Sequence, residues 1–285
     1  MTSPSADADP VRFEFGANWS LFIECVDEQR IKAAETSLIE MMGSAEAIMG
    51  RTFLDAGSGS GLFSLAAARL GASRVHSFDY DLNSVATTAE MKRRFGPPDV
   101  SWTVERGDIL DRQYVASLGR WDIVYSWGVL HHTGRMWEAI SNACDLVADG
   151  GLLFIAIYND QGRKTRWWRK LKRLYSRNAL GRAAVVSAFI PYWAVRGVVG
   201  DLVRLRNPLR RYHAYRSERG MSIIHDWFDW LGGYPFEAAR PETVFLHVLK
   251  RGFSLRNLTT SGGSLRCNEF VFERTVPLLV SRASP

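Results

Sequence analysis

Three glycines at alternate positions, Gly57, Gly59 and Gly61, follow an apolar run and Asp55 in "LDAGSGSGLF", residues 54–63. An ordered glycine costs more conformational entropy than any other residue. A backbone left bare three times therefore serves a tight turn or a molecule that approaches it closely. The stretch reads as a strand-to-helix turn, where backbone N–H groups are free and the helix start carries partial positive charge. Its spacing is G-x-G-x-G, not the G-x-G-x-x-G of a phosphate-binding turn. Residue types able to move a proton recur further along. His131 stands in "HHTG", Tyr158 in "IAIYND", and His225 beside Asp226 in "MSIIHDWFDW".

These residues hang on an alternation of short apolar runs and helical patterns. "RTFLDAG", "SRVHSFDYD", "VSWTVERGD", "WDIVYSWG" and "GLLFIAIYN" read as strands; "SLAAARLGA", "LNSVATTAEMKRRFG" and "MWEAISNACDLVADG" read as helices between them. Such alternation over about 100 residues predicts βαβ units and a parallel sheet, with ligands beyond the carboxyl ends of its strands. "PETVFLHVLKRGFSLRNLTT" resumes the pattern as helix then strand, and "CNEFVFERTV" is the last of seven strands. "VDEQRIKAAETSLIEMMG" predicts a helix ending on Gly43 before the first strand, and residues 160–240 interrupt the pattern after the fifth.

"FLDAGSGSG" resembles the first motif of the class I S-adenosylmethionine-dependent methyltransferases, and the later elements follow that family's order. The resemblance is firm over residues 51–157. It implies a Rossmann-like, doubly wound, mostly parallel seven-stranded α/β sheet, here with an N-terminal helical cap and a helical insertion after strand 5. It also implies S-adenosyl-L-methionine as cofactor and S-adenosyl-L-homocysteine as product. Asp55, Gly57, Ser58, Gly59 and Gly61 would then cradle the cofactor's amino-acid and ribose parts. Asp79, ending the second strand, would accept from the ribose hydroxyls, for which a carboxylate with two oxygens is suited. Asp81 is the rival there, but its position fits a helix N-cap better. Tyr80 would pack on the adenine, Asp108 with Ile109 would lie near its amino group, and Ser126 and Trp127 would meet the cofactor from the fourth strand. In "WDIVYSWGVLHHTG", Asp122 starts the strand and reads as structural. Asn18 and Trp19 belong to an element that in this fold covers the cofactor; a core role for Trp19 is the alternative.

Methyl transfer from a sulfonium is an in-line displacement in which alignment of donor and acceptor contributes several kcal/mol. An alcohol or phenol must also lose a proton, so His225 and His131 lead as bases, with Asp226 orienting His225 and Tyr158 as a further candidate. Against this, the pair His131–His132 could order its loop or pack on the cofactor, and Tyr158 with Asn159 could form a turn. No metal-ligand spacing occurs, so no metal is expected.

The chain has 285 residues, 46% hydrophobic and 23% charged, with net charge +6. Three widely spaced cysteines suit a reducing compartment, and "MTSPSADADP" lacks the pattern of a secretion signal, so a cytoplasmic protein is expected. "GRKTRWWRKLKRLYSR" concentrates eight Lys/Arg in sixteen positions, followed by the apolar run "AAVVSAFIPYWAVRGVV", which is short and interrupted for a membrane span. Three readings of the charge stay open: a solvated helix face, attraction of an anionic acceptor, or contact with nucleic acid or a membrane surface. The expected organisation is a disordered tail (1–12), a helical cap (13–50), a cofactor-binding domain (51–159 and 241–285) and a helical lid (160–240). The expected activity is methyl transfer to a small molecule, at an oxygen of a sugar, glycan precursor or natural product. The alternatives are an RNA or protein methyltransferase using the basic insertion, and a non-catalytic cofactor-binding protein.

Overall fold

The computed structural model describes Trp19, residues 22–203 and residues 231–275. Its centre is a seven-stranded sheet in the order β3-β2-β1-β4-β5-β7-β6. The strands are β1 (Thr52–Ala56), β2 (Arg74–Asp79), β3 (Ser101–Arg106), β4 (Trp121–Trp127), β5 (Val147–Tyr158), β6 (Phe253–Thr259) and β7 (Cys267–Arg274). β1 to β5 run parallel, and β7 runs antiparallel to both β5 and β6. The chain winds outward through β2 and β3 on one side of β1 and through β4 and β5 on the other. The carboxyl ends of β1 and β4 therefore flank the switch point at which open α/β sheets bind ligands.

Five helices flank the first five strands: α1 (Glu28–Met42), α2 (Leu62–Arg69), α3 (Leu82–Phe95), α4 (Arg112–Ser117) and α5 (Met136–Asp145). α1 begins where Asp27 Oδ1 accepts from Arg30 N at 2.8 Å and ends at Gly43, whose φ of +95° suits glycine. Asp81 caps α3 by accepting from Asn83 N at 2.8 Å, the role its position predicts. Asp122 is structural too, since its Oδ2 accepts from Thr52 N at 2.9 Å and Thr52 Oγ1 at 2.8 Å. Successive β1 residues feed opposite cores. Leu54 and Ala56 pack with α5, while Phe53 packs with α1 and α2. This two-sided burial explains why the strands read as continuous apolar runs.

Two segments differ from expectation. β5 starts at Val147, before the expected Gly151, because Gly150 adopts φ +74° and the strand passes an irregularity opposite Trp121 and Ile123. After β5 come α6 (Arg163–Arg177) and α7 (Ala179–Val203), joined at Asn178 as an antiparallel hairpin with Tyr175, Val185 and Leu231 at its core. α7 runs unbroken through Pro191 and is long and apolar enough, by length and composition, to cross a membrane. The apolar run alone is seventeen residues. The helix extends it at both ends. α8 (Pro241–Leu249) then leads into β6. Cys25, Cys144 and Cys267 are free thiols.

Candidate functional site

The glycine turn follows β1 at the switch point. Gly57, Gly59 and Gly61 have φ of +87°, +55° and +76°, a backbone region that side chains disfavour. Their bareness is used by the protein itself. A Cβ on Gly57 would lie 2.4 Å from Val129, one on Gly59 3.1 Å from the Trp19 indole, and one on Gly61 2.8 Å from Thr88. Ser58 and Thr88 share a hydroxyl hydrogen bond of 2.9 Å. Trp19 thus lies over the turn, half-buried and packed edge-on to Phe22.

Asp79 ends β2 beside this turn. Its Oδ2 accepts from Gly59 N and its Oδ1 from Asp81 N, both at 2.9 Å. Desolvation pushes its carboxyl up to about 6, against the backbone donors that favour the charged form. A carboxylate has about four lone-pair sites, so capacity for ligand hydroxyls remains. Tyr80 is exposed next to it, with the Arg106 guanidinium 5.4 Å from its ring centre. Gly107 N donates to Asp79 O at 3.0 Å, which brings the β3 end and the adjoining Asp108 to the same rim. Asp108 Oδ1 accepts from Leu110 N at 2.9 Å, and Ile109 is buried. Glycine turn, acidic rim and exposed aromatic ring fit a nucleoside-bearing cofactor.

Two expected cofactor residues face inward instead. Asp55 is 2% exposed and accepts from Ser64 Oγ at 2.5 Å, in a buried chain that continues through Ser77 to Trp102 Nε1. It braces the turn from behind, because β1 alternation aims it at α2. Burial pushes its carboxyl up to about 7. Ser126 is fully buried and its hydroxyl donates to Ala56 O at 2.8 Å, tying β4 to the start of the turn. Trp127 is exposed, with Nε1 donating to Glu269 Oε1 at 2.8 Å.

The acceptor candidates divide similarly. His225 and Asp226 lie outside the described residues. His131 and Tyr158 come together, with ring centres 4.1 Å apart, and His132 lies 4.5 Å from His131. His131 is fully buried, and neither of its nitrogens makes a good hydrogen bond, the Ala156 backbone being the polar group beside it. Burial holds it well below the usual imidazole range. It packs rather than faces solvent here. His132 Nδ1 pairs with Pro235 O at 2.7 Å, and burial depresses its pKa to about 3, with the nearby Lys172 charge adding to the effect. Both imidazoles are neutral at physiological pH. His131 is fully buried and His132 half-buried, and both rings pack against Tyr158.

What covers them was missed in the sequence. Residues 232–239 form a strap across the β4–β5 ends. Glu237 N donates to His131 O at 2.9 Å, Glu237 Oε2 accepts from Met136 N at 2.9 Å, and the Phe236 ring lies tilted at 48° with its centre 5.1 Å from that of Tyr158. Its turn-forming "GGYP" was the available signal, without any pairing to say what it crosses. Asn159 closes the end of β5, its Nδ2 donating to Gly262 O at 2.8 Å. A separate cleft of about 720 Å³, walled by Trp137, Ser141 and His247, lies among the flanking helices and away from these strand ends.

Residues 26–205 match a family model described as a methyltransferase domain. A ubiquinone biosynthesis O-methyltransferase from Methylobacterium sp. (strain 4-46) is 32% identical over 114 residues, 40% of this chain and 43% of that protein. The match therefore spans under half of the curated relative's length. Among solved structures, the magnesium protoporphyrin IX methyltransferase of Synechocystis PCC 6803 with bound SAH aligns at TM-score 0.54 and 14% identity, covering 91% of this chain and 94% of that one. The same protein with bound SAM aligns at 0.52 and 13% identity, covering 96% and 100%. Those likenesses carry the fold, and the family model carries the assignment: this chain belongs to the methyltransferase domain family, as a class I S-adenosylmethionine-dependent methyltransferase.

Proposed function

We propose that this methyltransferase moves the methyl group of S-adenosylmethionine to a hydroxyl oxygen of a small, ring-bearing molecule. The observation that carries this reading is the aromatic wall of His131, Tyr158 and Phe236, closed over by the strap, at the β4–β5 ends next to the glycine turn. Flat aromatic surfaces suit a ring, and a closed end suits a small acceptor better than a polymer. The O-methyltransferase relative supports oxygen as the target.

The cofactor, when bound, supplies an electrophilic methyl on a sulfonium. Gly57, Ser58, Gly59 and Gly61 hold it along the backbone, Asp79 takes the ribose hydroxyls, Tyr80, Asp108 and Ile109 frame the base, and Trp19 closes the turn. On the acceptor side, the strap excludes water. Tyr158, His131 and, outside the described residues, His225 with Asp226 are the groups proposed to handle the acceptor's proton. Of the two described groups, Tyr158 is half-buried and His131 is fully buried.

The basic helix α6 favours a second reading, an RNA acceptor. A labelled-methyl transfer assay against phenols, sugars and bulk RNA separates the two. Label in a phenol or sugar supports the proposal; label in RNA alone overturns it. Calorimetry with Asp79→Ala tests the cofactor half: affinity should fall at least tenfold, and unchanged affinity would remove Asp79 from the site.

A further inference from the structure

Six of the fifteen large exposed apolar side chains among the described residues lie on one helix, α7. Leu180, Tyr192, Val195, Val199 and Leu202 of α7 are 51–82% exposed. Spaced three or four apart, with exposed Ala184 and Ala188 filling the gap, they form one continuous stripe. At 1.5 Å per residue it runs about 33 Å. The other face of α7 is the one that packs. Phe189 lies 5.6 Å from both Trp168 of α6 and Trp193. Exposed apolar patches of this extent mark a site of association.

The neighbouring helix says what associates. α6 carries eight Lys/Arg in fifteen residues and no Asp or Glu. Because the hairpin is antiparallel, this charge flanks the stripe along much of its length. We infer that the α6–α7 hairpin docks on an anionic lipid bilayer, with the α7 stripe at the acyl boundary and the exposed α6 cations Arg163, Lys164, Arg166, Lys170 and Arg177 on lipid phosphates. Spanning does not fit, despite the length of α7. The charges of α6, packed alongside, and the exposed Arg182 and Arg196 of α7 would enter hydrocarbon. An RNA would answer the charge and leave the stripe uncovered.

The hairpin is joined to the acceptor wall. Arg169 Nε donates to Phe236 O at 3.0 Å, and the buried Lys172 places its Nζ 5.1 Å from the Phe236 ring centre. Phe236 in turn packs, tilted, against Tyr158. The surface that meets lipid thus stands one side chain from the acceptor site. The docking itself does not depend on which acceptor is used.

Cosedimentation of the full chain with vesicles tests this. Phosphatidylcholine vesicles containing phosphatidylglycerol should bind it at least tenfold more tightly than phosphatidylcholine alone, and high salt should weaken that binding. Each α6 cation near the surface contributes about fivefold, so Arg166→Gln with Lys170→Gln should lower partition by more than tenfold. Leu180→Glu with Val199→Glu should abolish partition while leaving S-adenosylmethionine affinity intact, which shows that the variant is folded. Three results would overturn the inference: no preference for the anionic vesicles, binding untouched by the stripe substitutions, or resistance of bound protein to an alkaline wash, which would mean that α7 spans. Binding of an RNA oligonucleotide in place of vesicles would overturn it as well.

Discussion

Asp55→Asn should make the protein more stable in mildly alkaline buffer and flatten its pH dependence. Burial raises the Asp55 carboxyl from 3.8 to about 7. The unfolded chain ionises near the ordinary value, so the folded chain holds a proton that the unfolded chain has released. The stability this group contributes is complete below about pH 4 and is lost as pH rises through about 7. The whole loss is about 4 kcal/mol, of which roughly 3 kcal/mol falls between about pH 5 and about pH 8. Asparagine keeps an acceptor for the Ser64 hydroxyl and does not ionise. Its neutral amide also removes the charge felt by the Tyr125 hydroxyl, which is buried without a hydrogen-bond partner. Urea unfolding followed by circular dichroism across this pH range, wild type against Asp55→Asn, reads the difference directly. Parallel stability curves for the two proteins would refute the reasoning, since the slope assigned to Asp55 would then belong elsewhere.

Gly61→Ala combines a φ of +76° with a Cβ 3.0 Å from the Thr88 backbone, so neither partner yields easily; it should cost about 1–3 kcal/mol in the same unfolding measurement. An alanine variant as stable as wild type would show that the turn relaxes. Glu237→Ala strips the first N–H of α5 of its acceptor and should cost about 1–2 kcal/mol in thermal unfolding, with S-adenosylmethionine affinity nearly unchanged. Equal loss of affinity and stability would place the strap in the cofactor half instead.

The sheet was legible because each parallel strand, buried on both faces, announces itself as an apolar run, and because Gly43, Gly71 and Asp81 punctuate the helices where the chemistry of caps requires. Gly150 misled for the opposite reason. Glycine reads as a turn, yet here it carries an irregularity inside β5. The places of Asp79 at the end of β2 and of Asp108 just past β3 were legible because the alternation of strands and helices fixes where each strand stops. The direction of Asp55 and Ser126 was not, since which face a short strand presents depends on the helices packed against it. The strap was hidden most completely, because its contacts with His131 and Met136 span about a hundred residues of sequence and use backbone atoms that every residue has.

The Trp19 indole, resting where a Gly59 side chain would stand, ties the chain ahead of α1 to the emptiness of the turn. Coupling free energies are reciprocal. Whatever the indole gains or loses when a ligand enters the turn, the ligand gains or loses through the indole. Position 19 is therefore both a reporter and a determinant of occupancy. A fluorine label on that one ring would register filling of the turn in its resonance, and truncation of the ring would shift the affinity by the difference between the indole's interactions in the filled and the empty turn.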